Sequence, residues 1–335
     1  MKTLTGASIV PDRSAVPSVR RIPFIVGPTG VGKTDVALTI ARSGEALILS
    51  IDARQAYRRL DRATGKPAEI SEREIHRLLD IWNPDTPSSA ARFSKAFHDE
   101  LRKARNQRRR FLAAGGSGLY IDAILGRIDP MPEIDPSLRE ALRREWDKSG
   151  GEALHQRLRE VDPETAGRIA PRDAQRILRA LEVWHQTGIP LSGWHRSGHG
   201  SYDLRQGPLI FFLARDPNDL RERITDRCRA MVEAGLVGEI RELLDEGLSP
   251  NAPGFKTLGY QEWLRYVQGE CDEKSAMDQM ILKTWQYARR QMTWFRNRYI
   301  GIKRIEIPPD EPAGDTAARI VRQLPGEWGT SESEP

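Results

Sequence analysis

Cysteine, lysine and long apolar runs are all scarce in this chain of 335 residues. Its two cysteines, Cys228 and Cys271, lie far apart and match no metal-ligand spacing, so we expect reduced thiols in a cytoplasmic protein. No run of about 18 apolar residues is present, which predicts that no segment spans a membrane. Residues 1–21 also lack the continuous apolar core of a secretory signal.

Arginine supplies most of the positive charge. The chain contains 42 arginines and 10 lysines, and its formal net charge is +5 at pH 7. Arginine is the better side chain for bidentate phosphate contacts and for stacking on bases. A coding bias toward arginine would give the same composition. The basic balance therefore makes an acidic partner such as nucleic acid a hypothesis to test, without establishing it.

The most informative motif is a glycine-rich loop between a predicted strand at 22–26 and a predicted helix at 35–42. It has the phosphate-loop pattern, a glycine followed by four residues and then Gly-Lys-Thr. Backbone N–H groups and the helix dipole attract an anion, and Lys33 adds a full charge. The loop therefore predicts a bound di- or triphosphate, but not which one. Its residues are Gly27, Pro28, Thr29, Gly30, Val31, Gly32, Lys33 and Thr34.

Strands separated by helices predict an α/β fold, a P-loop NTPase-like parallel sheet flanked by helices. In such a sheet, ligands bind at the carboxyl ends of the strands. The loops after Val26, Ile51 and Ala114 should therefore line one crevice. The predicted elements of this core are strands at 46–52, 110–114 and 209–214 and a helix at 93–105.

Residues 125–197 have a different character, because they are charged, helical in pattern and without a good strand. We interpret them as an all-helical insertion domain that contacts the acidic partner. The catalytic core is then discontinuous, at 21–124 and 198–306. The predicted helices of the insertion lie at 138–146, 152–161 and 173–186.

The two ends of the chain read as loose tails. Residues 1–20 are rich in Ser, Pro and Thr, and residues 307–335 are rich in Pro, Ser and Glu, with a short helix near 315–323. After Asp219 the core is predicted to be wholly helical.

Asp52 ends the strand that follows the loop helix, so its carboxylate should face the phosphate loop. Three roles are open: it could hold Mg²⁺, accept a proton from a nucleophile, or be a solvated loop acid. Thr34 stands where the loop pattern places a magnesium-binding hydroxyl. Ser117, in a glycine-rich turn after the 110–114 strand, could donate to a ligand or stabilise the turn.

The ordered set of motifs resembles the tRNA dimethylallyltransferases, the isopentenyltransferases of bacterial tRNA modification. One phosphate loop is unspecific, but the whole set follows family order over roughly residues 22–300. The matching segments are 27–34, 50–57, 64–67, 76–80, 115–120, 173–183, 258–260 and 284–296.

The resemblance implies a reaction in which a dimethylallyl group moves from its diphosphate to the N6 amine of the adenosine 3′-adjacent to the anticodon. The phosphate loop would then hold the donor's diphosphate. The resemblance assigns stabilisation of the leaving group to Lys33, to Thr34 with Mg²⁺, and to Arg227. Arg223, one helical turn earlier, is a second candidate. Asp52 becomes the general base, and Ser117 joins the catalytic set.

The resemblance also implies tRNA contacts around an unstacked base of the anticodon loop. For His76, a capped loop histidine is a competing explanation, and the arginines near residue 176 could instead face only water. The implied contact residues are Asp52, Ala53, Arg54, Gln55, His76, Ser117, Arg139, Gln175, Arg176, Ile177, Leu178, Arg179, Lys256, Thr257, Leu258, Gly259, Tyr260 and Gln261.

Three positions depart from the family pattern. Ala53 replaces the usual serine, Ser117 replaces a threonine and keeps the hydroxyl, and Ala63-Thr64-Gly65 replaces Gly-Thr-Ala. A hydroxyl lost beside Asp52 would cost one hydrogen bond to substrate, about 0.5–1.5 kcal/mol. We therefore expect an active enzyme with a shifted substrate affinity.

Two other functions remain open on the sequence. A small-molecule or nucleoside kinase also places an acid after its second strand and uses a loop lysine, although a small acceptor does not need a long basic helical half. A non-catalytic tRNA-binding protein is the third possibility. The only sequence feature that favours it is Ala53, in place of the usual serine. Nothing in the sequence demands more than a monomer.

Overall fold

The computed structural model describes residues 19, 21–128, 134–195, 202–203 and 207–326. The chain forms two compact units, which are described separately. Among the described residues, the larger unit contains 19, 21–125, 202–203 and 207–326, and the smaller contains 126–128 and 134–195. The predicted N-terminal tail, apart from Val19, lies outside the described residues, as does the part of the predicted C-terminal tail after residue 326.

The strands of the larger unit form a parallel sheet of six strands in the order β3-β2-β4-β1-β6-β8, and every neighbouring pair in it is parallel. A separate parallel pair joins β5 to β7. This arrangement confirms the predicted α/β fold. The strands are β1 (Pro23–Val26), β2 (Leu47–Ile51), β3 (His76–Arg77), β4 (Phe111–Gly115), β5 (Tyr202–Asp203), β6 (Leu209–Ala214), β7 (Tyr299–Ile300) and β8 (Lys303–Glu306).

Thirteen α-helices and a short 3₁₀ helix at Pro253–Lys256 complete the described part of the chain, and none of these helices is long and apolar enough to cross a membrane. In chain order they are α1 (Lys33–Ser43), α2 (Ile70–Ile75), α3 (Ala90–Asn106), α4 (Gly118–Ile124), α5 (Pro136–Val161), α6 (Pro163–Ala166), α7 (Ala174–Thr187), α8 (Leu191–His195), α9 (Pro217–Glu233), α10 (Leu236–Asp245), α11 (Tyr260–Val267), α12 (Glu273–Arg298) and α13 (Ala313–Val321).

The sheet is buried on both faces, which is why its inner strands are continuous apolar runs. Side chains alternate along β1: Ile25 enters one core, with helices α1, α10 and α11, while Phe24 and Val26 enter the other, with α3 and α4. The two layers fix the strand ends, so the loops that follow β1, β2 and β4 meet at one edge of the sheet.

The smaller unit is helical in the residues that the structure describes. Its core joins Leu142, Leu154 and Leu158 of α5 to Ile177 and Leu181 of α7. The helices predicted at 138–146 and 152–161 form the one element α5, which is broken at Gly150, where φ is 76°. A glycine tolerates this positive φ without the clash that a Cβ would cause.

The prediction that the core is wholly helical after Asp219 is wrong, because β7 and β8 follow α12. Both strands are short, and β8 lies at the edge of the sheet. Its sequence Lys-Arg-Ile-Glu buries only Ile305, so it gives no apolar run to detect. Charged residues are typical of edge strands, which must avoid pairing with other chains.

Residues 307–326 differ from the expected loose tail. The helix α13 packs against α1 and buries Thr316, Ala317 and Ile320 in the main core. Ile307 is buried there as well. The proline-rich segment at 307–312 therefore connects the last strand to a packed helix, and only the apolar spacing within α13 carried that information.

Gly115, the last residue of β4, tests how tightly β2 and β4 pack. A Cβ on Gly115 would overlap the carbonyl oxygen of Ile51, which is backbone and cannot rotate away. We expect Gly115→Ala to lower the free energy of unfolding by about 1–3 kcal/mol. Gly238→Ala is the control, because Gly238 is exposed on helix α10 with open space around it. It should gain about 0.5–1 kcal/mol. Urea titrations of both variants measure the difference; equal midpoints would contradict the close approach.

Candidate functional site

The phosphate loop joins β1 to the N-terminus of α1, as predicted. Cationic side chains donate to three carbonyl groups along it. Lys33 Nζ lies 2.7 Å from the oxygen of Pro28, Arg223 Nε 3.1 Å from that of Gly30, and Arg215 Nε 3.1 Å from that of Val31. The loop is thus fixed through its carbonyl groups. Backbone N–H groups at the start of α1 have no helical partner and favour an anion.

A polar cavity of about 580 Å³ opens beside this loop, at the carboxyl ends of β2 and β4. The structure therefore brings together side chains that the sequence scattered over two hundred positions. Three predicted residues of the loop do not line the cavity: Gly27 and Pro28 are buried, and the side chain of Val31 lies in the core. The predicted site residues that line the cavity are Thr29, Gly30, Gly32, Lys33, Thr34, Asp52, Arg54, Gln55, His76, Arg223 and Arg227.

Asp52 is an ionised, partly buried carboxylate in this cavity, and its side chain is only 16% exposed. Arg54 binds it from two sides: Nη2 lies 3.2 Å from Oδ2, and the backbone N–H donates to Oδ1 over 3.0 Å. Burial acts to raise the pKa of Asp52, but Arg54 and Lys33 together hold it below its ordinary value. The solvated-loop explanation is therefore excluded, and a base or metal ligand remains.

Lys33 has an unusual charge state for a lysine. Burial lowers its pKa to about 7; Asp52 opposes this shift, whereas Arg227 and Arg54 reinforce it. The ammonium group is therefore only partly protonated at neutral pH in the free protein. A bound anion would supply the missing negative charge and restore the proton.

Arg227 and Arg223 both lie on α9 and both line the cavity. The guanidinium group of Arg227 packs directly over Gly65, where any Cβ would overlap it. Gly65, which stands where the family usually has alanine, thus lies directly against Arg227. Arg223, in contrast, donates to the phosphate loop itself.

Ser117 does not line the cavity. Its hydroxyl accepts a hydrogen bond from the backbone N–H of Ala53 over 3.1 Å, and the residue is buried. This contact fixes the backbone beside Asp52, which matches the turn-stabilising alternative rather than donation to a ligand. The side chain of Ala53 packs against the second core.

Two residues of α12 have roles that the sequence did not assign. Tyr287 lies under Arg54, whose guanidinium carbon is 5.0 Å from the ring centroid. Gln291 is buried and contacts two site loops. Both lie within the matched segment 284–296, so the segment was visible, but the partners of each side chain were not.

His76 lines the cavity and is also capped, since its Nδ1 lies 2.5 Å from the carbonyl oxygen of Glu72. Burial lowers the pKa of His76, so the ring is neutral near pH 7. The capped-histidine explanation is therefore confirmed, and contact of His76 with tRNA stays a prediction.

The segment 256–261 is only partly available to a ligand. Lys256 and Gln261 are exposed, while Thr257 and Gly259 are buried and Leu258 is half-buried. Tyr260 differs from its predicted role, because it is fully buried and its hydroxyl binds the carboxylate of Glu239. It supports the loop from within the core.

In the helical unit, the predicted contact residues divide in the same way. Ile177 and Leu178 differ from their predicted role as contacts, because their side chains lie inside the core. Gln175 and Arg176 are exposed on α7. Arg139 and Arg179 both bind the buried carboxylate of Glu182, which the sequence did not single out.

A metal ion in this cavity would have few protein ligands. No cluster of three or more His, Cys, Asp or Glu side chains that could hold a metal lies within the described ranges. Thr34 and Asp52 do present oxygen atoms to the cavity. Oxygen ligands, few in number and completed by phosphate and water, are what Mg²⁺ prefers.

Comparisons with known proteins point to one family. A family model described as IPP transferase matches residues 55–298. The tRNA dimethylallyltransferase of Alkaliphilus oremlandii is 36% identical over 317 residues, which cover 93% of this chain and 99% of the relative. That of Thioalkalivibrio sulfidiphilus is 40% identical over 303 residues, covering 90% and 94%. These relatives support the prenyltransferase hypothesis over the kinase hypothesis.

Solved structures give the same answer. The full-length tRNA isopentenylpyrophosphate transferase of Bacillus halodurans aligns with a TM-score of 0.65 at 28% identity, covering 92% of this chain and 97% of its own. A eukaryotic dimethylallyltransferase solved acting on tRNA aligns with a TM-score of 0.70, covering 94% and 81%, but at 19% identity it supports the fold alone. Because the family model spans most of the chain and the sequence relatives align along nearly their whole length, the chain belongs to the IPP transferase family.

Proposed function

We propose that this transferase moves a dimethylallyl group from dimethylallyl diphosphate to the N6 amine of the adenosine 3′-adjacent to the anticodon of tRNA. One observation carries the proposal: the phosphate loop with Lys33 and the ionised carboxylate of Asp52 line the same cavity. The first suits a departing diphosphate and the second a proton leaving an amine. The relatives are named tRNA dimethylallyltransferases, which supports dimethylallyl as the transferred group and tRNA as the acceptor.

The diphosphate leaving group would bind on the positively charged side of the cavity. As the carbon–oxygen bond of the donor breaks, negative charge grows on the diphosphate. Lys33, Arg223 and Arg227 are placed to stabilise it, together with the N–H groups at the start of α1. These groups are held before substrate arrives, since Lys33 and Arg223 already donate to the loop.

Mg²⁺ is the metal that the residues fit. The hydroxyl of Thr34 would hold it together with the oxygens of the diphosphate and water, because one protein ligand suffices for this ion. Bound there, Mg²⁺ would neutralise part of the charge on the leaving group.

The proton released from the acceptor amine is accepted by Asp52. The new carbon–nitrogen bond forms at N6, and the amine proton passes to the carboxylate of Asp52. An amine on an aromatic ring is a poor nucleophile, so positioning and base assistance both contribute. Arg54 occupies this carboxylate in the free protein, so the amine must share or displace that ion pair.

The tRNA would meet the protein through the exposed members of the predicted contact set. A base of the anticodon loop has to unstack to reach Asp52, as substrates of base-modifying enzymes do. Arginines contact phosphate and stack on bases. We therefore keep Gln175, Arg176, Lys256 and Gln261 as surface contacts, and we expect a cytoplasmic monomer to carry out the reaction.

Turnover of the wild-type protein is the direct test. Purified protein with dimethylallyl diphosphate, unmodified tRNA and Mg²⁺ should yield prenyladenosine, measured by mass analysis of digested tRNA. ATP in place of the donor should transfer no phosphate to a small acceptor. A folded protein that forms no prenyladenosine, or that binds tRNA without turnover, would overturn the proposal.

Replacement of Asp52 tests its role as base. Asp52→Asn should reduce turnover by at least about 100-fold, because a positioned general base contributes at least that much. Affinity for tRNA should change by less than about threefold. Single-turnover rates and tRNA titrations separate the two effects. Asp278→Asn, an exposed change on α12, is the matched control; an Asp52→Asn enzyme as active as this control would remove Asp52 as base.

The pKa of Lys33 makes diphosphate binding depend on pH. Below pH 7 the free lysine is already protonated, so binding takes up no proton there. Above pH 7 it has lost its proton and must regain it, so affinity should fall as pH rises toward 9. Calorimetry with inorganic diphosphate, in buffers of different ionisation enthalpy, measures the uptake.

Lys33→Met is the comparison that isolates this lysine from the ionisation of diphosphate itself. The variant should lack the extra proton uptake at pH 8. Its loss of affinity should be largest at pH 6 and shrink toward pH 9. The same proton uptake in wild type and variant would show that Lys33 is fully protonated before binding.

A further inference from the structure

We propose that Gln291 is a positioning residue that holds the phosphate loop and the catalytic-base loop in fixed register. The inference rests on the proposed function, because it concerns how donor and acceptor are aligned in that reaction. Gln291 lies near the end of α12, 262 positions from the phosphate loop in sequence. It is only 5% exposed, and neither the leaving group nor the amine needs to touch it.

The side-chain amide of Gln291 joins two loops. Its Oε1 accepts a hydrogen bond from the backbone N–H of Thr29 over 2.9 Å, and its Nε2 donates to the carbonyl oxygen of Gly116 over 2.9 Å. One partner can only donate and the other can only accept, so the orientation of the amide is fixed. Both bonds are buried, where a lost partner is costly.

Gly116 leaves the space that this contact needs. A Cβ at Gly116 would overlap Nε2 of Gln291, and it would lie 2.8 Å from the carbonyl oxygen of Gly27. The glycine therefore admits both the amide group and the neighbouring phosphate loop. A buried polar side chain and a matching glycine together indicate a specific contact rather than incidental packing.

The contact continues to Asp52. Gly116 is followed by Ser117, whose hydroxyl accepts from the N–H of Ala53, the residue after Asp52. One helical turn before Gln291, Tyr287 lies under the arginine that binds Asp52. A single face of α12 thus supports the phosphate loop on one side and the base on the other.

The chemistry explains why this register matters. The carbon of the dimethylallyl group must lie in line between the departing oxygen and the attacking nitrogen. A misplacement of about 1 Å can cost roughly 100-fold in rate. Partners that orient metal ligands without touching the substrate typically contribute 10–100-fold to activity, which sets a scale for a positioning residue. We therefore expect the loss of the Gln291 contacts to lower turnover by about 10–100-fold.

Gln291→Glu distinguishes a positioning role from a purely structural role, because only the positioning role predicts that turnover depends on the ionisation of the new side chain. When protonated, the new carboxyl group reproduces both bonds, because its carbonyl accepts from Thr29 and its hydroxyl donates to Gly116. When ionised, it directs a negative oxygen at the carbonyl of Gly116. Burial raises the pKa of such an acid. Turnover relative to wild type should therefore recover as pH falls, along a single ionisation.

Gln291→Leu removes both bonds at similar volume and should lose about 10–100-fold in turnover at every pH, without recovery. Gln279→Ala is the control, since Gln279 is exposed on the same helix and far along it from the site. Circular dichroism at the assay temperature shows whether each variant is folded. Affinity for inorganic diphosphate is measured over the same pH range, where Gln291→Glu should again recover at low pH.

The outcomes separate the two proposals. The wild-type protein could form no prenyladenosine, while the affinity of Gln291→Glu for diphosphate still recovers at low pH. That result would overturn the proposed function and support the positioning role. If the wild type is active and the turnover of Gln291→Glu stays in a constant ratio to that of the wild type at every pH, the positioning role is overturned. Loss of the native spectrum in both Gln291 variants would also overturn it, because Gln291 would then serve folding alone.

Discussion

Asp52, Arg54 and Lys33 share one cavity, and the rest of the site depends on the electrostatic balance among them. Burial disfavours the charged form of each group, but Arg54 stays protonated and, with Lys33, keeps the carboxylate of Asp52 ionised, while burial lowers the pKa of Lys33 to about 7. The free protein is therefore short of negative charge on the side of the phosphate loop. In the proposed reaction, the diphosphate of the donor would supply that charge. The acceptor amine would then have to compete with Arg54 for the carboxylate of Asp52.

The parallel sheet makes this balance possible, because it brings the carboxyl ends of β1, β2 and β4 to one edge. Rigid, doubly covered strands end in loops, and each loop contributes one part of the site. The helix α12 then crosses behind these loops and fixes them through buried side chains. Function thus depends on a helix that contributes nothing to the lining of the cavity in the described residues.

Much of the core was predictable because its signals are local. Apolar runs marked β1, β2, β4 and β6, and the glycine spacing marked the phosphate loop. The predictions failed at the end of the core and at two of the predicted contact residues. The strand β8 is charged at the sheet edge and has no apolar run, so it was not predicted. The helix near 315–323 was predicted, but not that α13 packs against the core, because a proline-rich segment precedes it. Tyr260 and Ile177 were taken as ligand contacts from family correspondence, which identifies a position but not the direction of its side chain.

The sequence by itself determined that a phosphate-loop motif opens α1 and that Asp52 directly follows the next strand, because both follow from residue order and strand periodicity. Tertiary structure alone decided the charge state of Lys33, the close approach of Arg227 to Gly65, and the partners of Gln291. These depend on groups far apart in the chain: burial and Coulomb forces act through space, and a hydrogen bond requires a distance that sequence separation does not encode.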